Sequence, residues 1–186
     1  MSGRGIIHIS QGEHAVCDNG ETCIATILGS CVAACLWDSI AGVGGMNHIL
    51  IPERMTTIGD FESHGVNAME ILINDIVKRG GDRFRLQAKL FGGATMNARL
   101  GDLGQRNAGF ALEFLRAENI PCVASCLGGS RARRIEFWPA SGRARQRFVK
   151  RCREELPHPQ RAGAQRLDSE AGRGAGPGGV SDVELF

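Results

Sequence analysis

No run of apolar residues in this sequence approaches the roughly 20 that a helix needs to cross a bilayer, so membrane insertion is not expected. A secretory signal is missing as well. "MSGRGIIHIS" is too short and too weakly apolar to act as one, and a cytoplasmic protein is the expectation. Charge of one sign is also lacking: Lys and Arg total 22 against 20 Asp and Glu, so a net +2 gives nucleic acid no global field to follow. No C-x-x-C knuckle occurs, no Gly-Lys-Ser/Thr follows a glycine-rich loop, and no internal repeat is visible.

What is present is enough for one core. A chain of 186 residues with 42% hydrophobic content supports a single globular body with little left over for a second. Seven cysteines, an odd number without an export signal, read as reduced thiols rather than a disulfide framework. The pairs Cys31/Cys35 and Cys122/Cys126 are spaced C-x-x-x-C, but both fall in runs that read as strands. Residues four apart on a strand stand about 13 Å from each other, too far to hold one tetrahedral ion. No metal is expected on this spacing.

The pattern from Met1 to about Arg151 is strand-rich with two helices. "IIHIS", "TCIATIL" and "CVASCL" suit strands, and "SCVAACLW" with "GVGGMNHILI" reads as a hairpin turning at Asp38 to Gly42. "GVNAMEILINDIVKRGG" places Val66, Met69, Leu72, Ile73 and Ile76 on one helical stripe closed by Gly80 and Gly81. "FRLQAKLF" alternates, with Phe84, Leu86, Ala88 and Leu90 on one side and Arg85, Gln87 and Lys89 on the other. A second helix spans about Gln105 to Glu118, ended by Asn119 and Pro121. "RIEFWPASGRARQRFV" reads as a hairpin through Pro139 to Gly142. Residues 1–151 thus form one domain. Residues 152–186 are rich in Gly, Pro and Arg and cannot bury enough surface to order themselves, so a disordered tail is expected. Its last five residues, "DVELF", regain apolar side chains and are expected to dock on a partner.

The stretch "TILGSCVAACLWDSIAGVGGMNHIL" carries the chemistry. If the hairpin turns at Asp38 to Gly42, Cys31 stands across from His48 or its neighbour, with Cβ atoms about 4.5–5.5 Å apart. A histidine at that distance can take the proton of a thiol nucleophile. Gly29 permits a tight bend before Ser30 and Cys31, whose backbone N–H groups can hold an oxyanion. Gly44 and Gly45 leave the facing strand bare, and Phe91, Gly92 and Gly93 follow a strand; both stretches are candidates for a substrate groove. For Phe91 to Ala94 a tight strand-to-helix connection is the favoured reading of the residues, and Arg106 and Asn107 read as structural.

The same residues resemble a known family. "ILGSCVAACLWD", "GVGGMNHILIP", "AKLFGGATM", "LGQRN", "IPCVASCLGG" and "RRIEFWPASGR" together resemble the CheD family of chemoreceptor glutamine deamidases, from roughly Gly5 to Val149. The resemblance implies an α/β (α+β) fold: a three-layer sandwich of mainly antiparallel or mixed sheet flanked by helices. It implies Cys31 as nucleophile, His48 as general base, and an upstream threonine orienting the histidine, for which Thr26 is the candidate. It implies deamidation of receptor glutamines to glutamate through a thioester, chemistry that needs neither a metal nor an organic cofactor and that also opens a methyl ester. The implied partners are methyl-accepting chemotaxis receptors and a CheC-type phosphatase. A non-catalytic adaptor and a redox-sensing thiol protein remain the alternatives.

Overall fold

We describe a computed structural model of the chain at residues 5–51, 58–96, 102–149 and 183–186. Ten strands and two helices follow one another along it. They are β1 (Ile6–His8), β2 (His14–Cys17), β3 (Cys23–Leu28), β4 (Val32–Asp38), β5 (Val43–Asn47), α1 (Ile58–Lys78), β6 (Gln87–Gly92), α2 (Leu103–Ala117), β7 (Cys122–Leu127), β8 (Arg133–Trp138), β9 (Arg143–Phe148) and β10 (Val183–Leu185). The strands form two mixed sheets, a middle one in the order β2-β5-β4-β6-β7 and an outer one in the order β1-β3-β8-β9-β10. Pairing is antiparallel except between β1 and β3 and between β6 and β7.

Strand β4 explains the layering. All seven of its residues are buried. Val32, Ala34 and Leu36 join Met69, Leu72, Ile73 and Ile76 of α1, while Ala33, Cys35 and Trp37 join Ile24, Leu28, Ile135 and Phe137 of the outer sheet. A strand covered on both faces has no wet side, which is why it reads as a continuous apolar run. The result is a three-layer α+β sandwich, ordered helices, sheet, sheet, with both helices on one face.

Several local expectations shift. The first helix begins at Ile58, and Val66 is exposed; its place on the buried stripe belongs to Gly65, where a Cβ would lie 2.4 Å from the Phe110 ring. Strict alternation through "FRLQAKLF" fails because Arg83–Arg85 form a turn of 3-10 helix, capped by Asp82 accepting from the Phe84 N–H at 2.9 Å. Phe84 is almost fully exposed, and Arg85 is drawn to Asp38. Lys89 faces away from Leu86, Ala88 and Leu90 as expected, but that side is closed: it lies between the sheets, donating to the Gly142 carbonyl at 2.7 Å with its ammonium 5.1 Å from the Trp37 ring centre. The second helix and the β8-β9 hairpin lie where expected, and Asn119 takes the left-handed conformation just past α2.

Most of the segment expected to be a disordered tail lies outside the described residues. Its tip does not reach for a partner: Val183–Leu185 extend the outer sheet against Arg145–Arg147, and Ala144 and Phe186 exchange two backbone hydrogen bonds of 2.9 Å. The Phe186 ring meets Phe91 edge-on at 5.3 Å. The apolar tip is used by the protein itself.

Two stability outcomes follow from these contacts. Asp38 is buried and accepts from the Ile40, Ala41 and Asp82 N–H groups and from Arg85, which holds its carboxyl well below the usual range. Because the folded value is depressed, this stabilisation is full above the unfolded carboxylate's value of about 4 and fades as pH falls. Asp38→Asn is expected to cost about 2 kcal/mol at pH 7, with the gap to the parent narrowing below about pH 4 in urea titrations. Removal of residues 183–186 bares the β9 edge and half of the Phe91 contact, and is expected to cost about 1–2 kcal/mol in the same assay. Unchanged urea midpoints would show that neither contact holds in solution.

Candidate functional site

The chain crosses from the outer sheet to the middle sheet in three residues. β3 ends at Leu28, β4 begins at Val32, and Gly29, Ser30 and Cys31 span the gap. Packed sheets lie about 10 Å apart, close to the full reach of so short a segment, so the crossing is taut. It is also tied. The Cys31 carbonyl accepts from the Gly93 N–H at 2.7 Å, the Gly29 carbonyl from the Ala94 N–H at 2.9 Å, and the Ser30 carbonyl from Asn107 Nδ2 at 3.0 Å. With three successive carbonyls held, the N–H groups of Gly29, Ser30 and Cys31 have no carbonyl or side-chain acceptor among the described residues apart from the Cys31 thiol itself.

Gly92 makes this clamp possible. Its φ is +113°, and a Cβ there would lie 2.1 Å from the Cys31 carbonyl oxygen. Phe91, Gly92 and Gly93 therefore brace the crossing from behind and do not open a substrate groove. Gly44 and Gly45 do not either: both are buried within β5, where a Cβ would meet the Leu36 and Ala15 carbonyl oxygens at 2.5 Å.

His48 follows β5. Asp38 pairs with Val43, Cys35 with Met46 and Val32 with Ile49, so in this register His48 faces Ala33 and Cys31 faces Leu50. The four-residue turn shifts the pairing by one or two places from the expected one, which set His48 or its neighbour opposite Cys31. Cys31 and His48 are diagonal neighbours on the same side of the sheet, a relation with Cβ atoms about 7 Å apart that side chains can bridge. No hydrogen bond joins them; His48 Nε2 is buried without a partner.

Thr26 decides what that nitrogen is. It lies on the inward side of β3 with Ile24 and Leu28, and its Oγ1 is 2.8 Å from His48 Nδ1 and 2.8 Å from the Ile9 carbonyl oxygen. A carbonyl only accepts, so the single hydroxyl proton goes to Ile9, and Oγ1 must accept from Nδ1–H. The neutral ring then carries its lone pair on Nε2, on the face it shares with Cys31. A lone pair so placed can take a proton from a thiol. Thr26, Cys31 and His48 are each at least nine-tenths buried. Burial pushes the Cys31 thiol up, opposed by its own backbone N–H, and pulls His48 down, opposed by Glu13. At neutral pH both are uncharged.

A cavity of about 300 Å³ opens beside the histidine, lined by His8, Ser10, Thr26, Ile27, His48 and Arg134. The approach is thus from β1 and β3, not from the glycines of β5. Sequence reasoning missed the Ile9 carbonyl, which leaves no trace in residue types. It also undervalued Asn107, a wholly buried amide on the apolar stripe of α2 that accepts from the Ile51 N–H as well. A polar residue on that stripe was the available signal.

The family model described as CheD chemotactic sensory transduction matches residues 51–148. A protein of Rhizobium rhizogenes named "Probable chemoreceptor glutamine deamidase CheD" is 54% identical over 143 residues, 75% of this chain and 78% of that one. A Caulobacter vibrioides protein of the same name is 53% identical over 145 residues, 77% of this chain and 78% of that one. A solved structure from Neisseria meningitidis superposes with a TM-score of 0.43 at 10% identity over 67% of this chain and 62% of its own, too distant to carry an argument. The family match begins beyond Thr26, Cys31 and His48, so the roles of these three rest on their geometry.

The tautomer is directly testable. Imidazole ¹⁵N shifts of His48 are expected to report Nδ1–H in the parent and in Thr26→Ser, and a mixture in Thr26→Val. The valine variant also strands the Ile9 carbonyl and is expected to lose about 1–3 kcal/mol of stability. A parent spectrum reporting Nε2–H would reverse the assignment of the base.

Proposed function

The chain belongs to the CheD family, and from that membership we propose that it is a chemoreceptor glutamine deamidase, a cysteine-dependent protein-glutamine glutaminase. The observation that carries the reading is the Thr26–His48 hydrogen bond, which leaves an unpartnered Nε2 on the face shared with the buried Cys31. The names of the relatives supply the substrate class, and the site supplies a chemistry that suits it.

The reaction runs as two acyl transfers. A glutamine side chain enters beside His48, and Nε2 takes the Cys31 proton as Sγ attacks the carboxamide carbon. The carbonyl oxygen gathers negative charge, and the free N–H groups of Gly29, Ser30 and Cys31 are held where they can stabilise it. His48, now an imidazolium, returns its proton to the nitrogen, and ammonia leaves with the C–N bond. The thioester that remains is opened by water, whose proton passes to Nε2 and then back to Sγ. The products are glutamate and ammonia, with the thiol restored. Thr26 holds the ring through both transfers and stabilises its cationic form by accepting from Nδ1–H.

Burial accounts for the order of events. A thiol raised and an imidazole lowered in pKa do not exchange a proton at rest, so attack waits until a substrate carbonyl fills the cavity. Receptor signalling segments as substrate support a cytoplasmic protein. The resemblance carries a CheC-type phosphatase as second partner, which co-purification from cells tests.

Incubation of a receptor cytoplasmic fragment with the protein is expected to release ammonia and to convert a glutamine to glutamate, read by peptide mass spectrometry. Cys31→Ala is expected to lower turnover by at least about 10³-fold. Cys35→Ala, in the closed core between the sheets, is expected to retain it. Binding of the fragment without turnover by the parent protein would favour the adaptor instead.

A further inference from the structure

Among the described residues no helix covers the outer face of the outer sheet, and the cavity beside His48 opens at its edge. On β3 and β8, Ile27 is paired directly with Arg134, one residue along from the pairing of Thr26 with Ile135. Thr26 points inward to His48, so its neighbour Ile27 points outward, and Ile27 is 55% exposed. The mouth of the cavity is therefore framed by an apolar side chain and a guanidinium.

Three arginines surround a single carboxylate on this face. Arg134, Arg145 and Arg147 line one surface depression with Glu136. Arg145 takes Glu136 Oε2 through both Nε and Nη2, and Arg134 reaches Oε1 through Nε alone, at 3.2 Å. Each carboxylate oxygen of Glu136 thus has its own arginine, and Arg134 spends only its Nε on it. The Nη1 and Nη2 groups of Arg134 have no partner among the described residues, and Arg134 also lines the cavity beside His48. A guanidinium presents its terminal nitrogens as a fork that fits a carboxylate.

We propose that Arg134 is a specificity-determining residue that binds a carboxylate beside the target glutamine on the substrate, with Ile27 packing an apolar side chain next to it. The inference rests on the deamidase reading and names what that site selects. A glutamine flanked by Asp or Glu is drawn in with its neighbour on Arg134, whereas one flanked by Lys or Arg meets three like charges. The contact is made in the bound substrate and persists through the reaction, so it acts on KM rather than on kcat.

The test uses the full-length protein and three versions of one receptor cytoplasmic fragment, in which the carboxylate nearest the target glutamine is kept, replaced by a neutral residue or replaced by Lys. The parent is expected to favour the acidic version over the neutral one by about five- to tenfold in kcat/KM, chiefly through KM, and the preference is expected to shrink with added salt. Arg134→Glu is expected to reverse the order, so that the lysine version becomes the better substrate, an outcome that damage to the fold cannot imitate. Equal turnover of all three versions by the parent overturns the inference without any variant. So does a change by the same factor on all three in Arg134→Glu. Absence of turnover by the parent on every version overturns the deamidase reading, and this inference with it.

Discussion

The central strands of the middle sheet, β5, β4 and β6, have no face in water, and most of the molecule follows from that. A strand buried on both sides must be apolar on both, as β4 is, and any polar group admitted there must be paired. Asn47 meets the Ala34 N–H and the Ala68 carbonyl, and Lys89 meets the Gly142 carbonyl. The same closeness leaves no room for a Cβ at Gly44, Gly45 or Gly92. The functional residues lie where this sheet ends and the chain crosses to the next layer. There the backbone is neither strand nor solvent loop, and its amide groups are free to face a substrate.

Burial also sets the chemistry. Seven cysteines in one chain would make poor selectivity if each were an exposed thiolate. Burial instead raises the thiols of Cys17, Cys23, Cys31 and Cys35. What distinguishes Cys31 is its surroundings. Cys35 has the core of two sheets around it, whereas Cys31 has a base with an unpartnered nitrogen and a cavity beyond it. In the reaction proposed above, the taut crossing fixes the amide groups before substrate arrives, so little reorganisation is needed when charge develops. Asn107 matters for the same reason, because it joins the crossing to α2 and so to the helix layer.

The sequence made the layers legible more readily than the register. The hairpins read from "SCVAACLW" with "GVGGMNHILI" and from "RIEFWPASGRARQRFV" are both present, one in each sheet. The Cys31–His48 relation was visible from the hairpin, but turn length fixes the pairing, and residues 39–42 form a four-residue turn closed by Asp38 and Val43. Thr26 could have been read more firmly, since Ile24 and Leu28 share its side of β3. The alternation assigned to "FRLQAKLF" presumed a wet face and a strand from its first residue. Asp82 and the ion pairs of Arg83 with Glu70 and Glu118 turn the first part into 3-10 helix instead. No local pattern could show that Lys89 would find an acceptor in a turn 53 residues away.

The two edges of the outer sheet are finished differently, and the difference bears on access. At one edge β1 is three residues long and stops beside Thr26, so the cavity opens where the sheet runs out of strand. At the other, β9 would present unpaired backbone, a surface that invites another chain. Val183–Leu185 cover it, and Phe186 fills the space against Phe91, directly before the Gly92–Gly93 clamp on Cys31. An edge left open at β9 would let β8 and β9 twist relative to the middle sheet, and Arg134 would move with them. Closing the far edge while leaving the near edge short keeps the arginine-bearing face fixed and confines entry to the side where His48 lies.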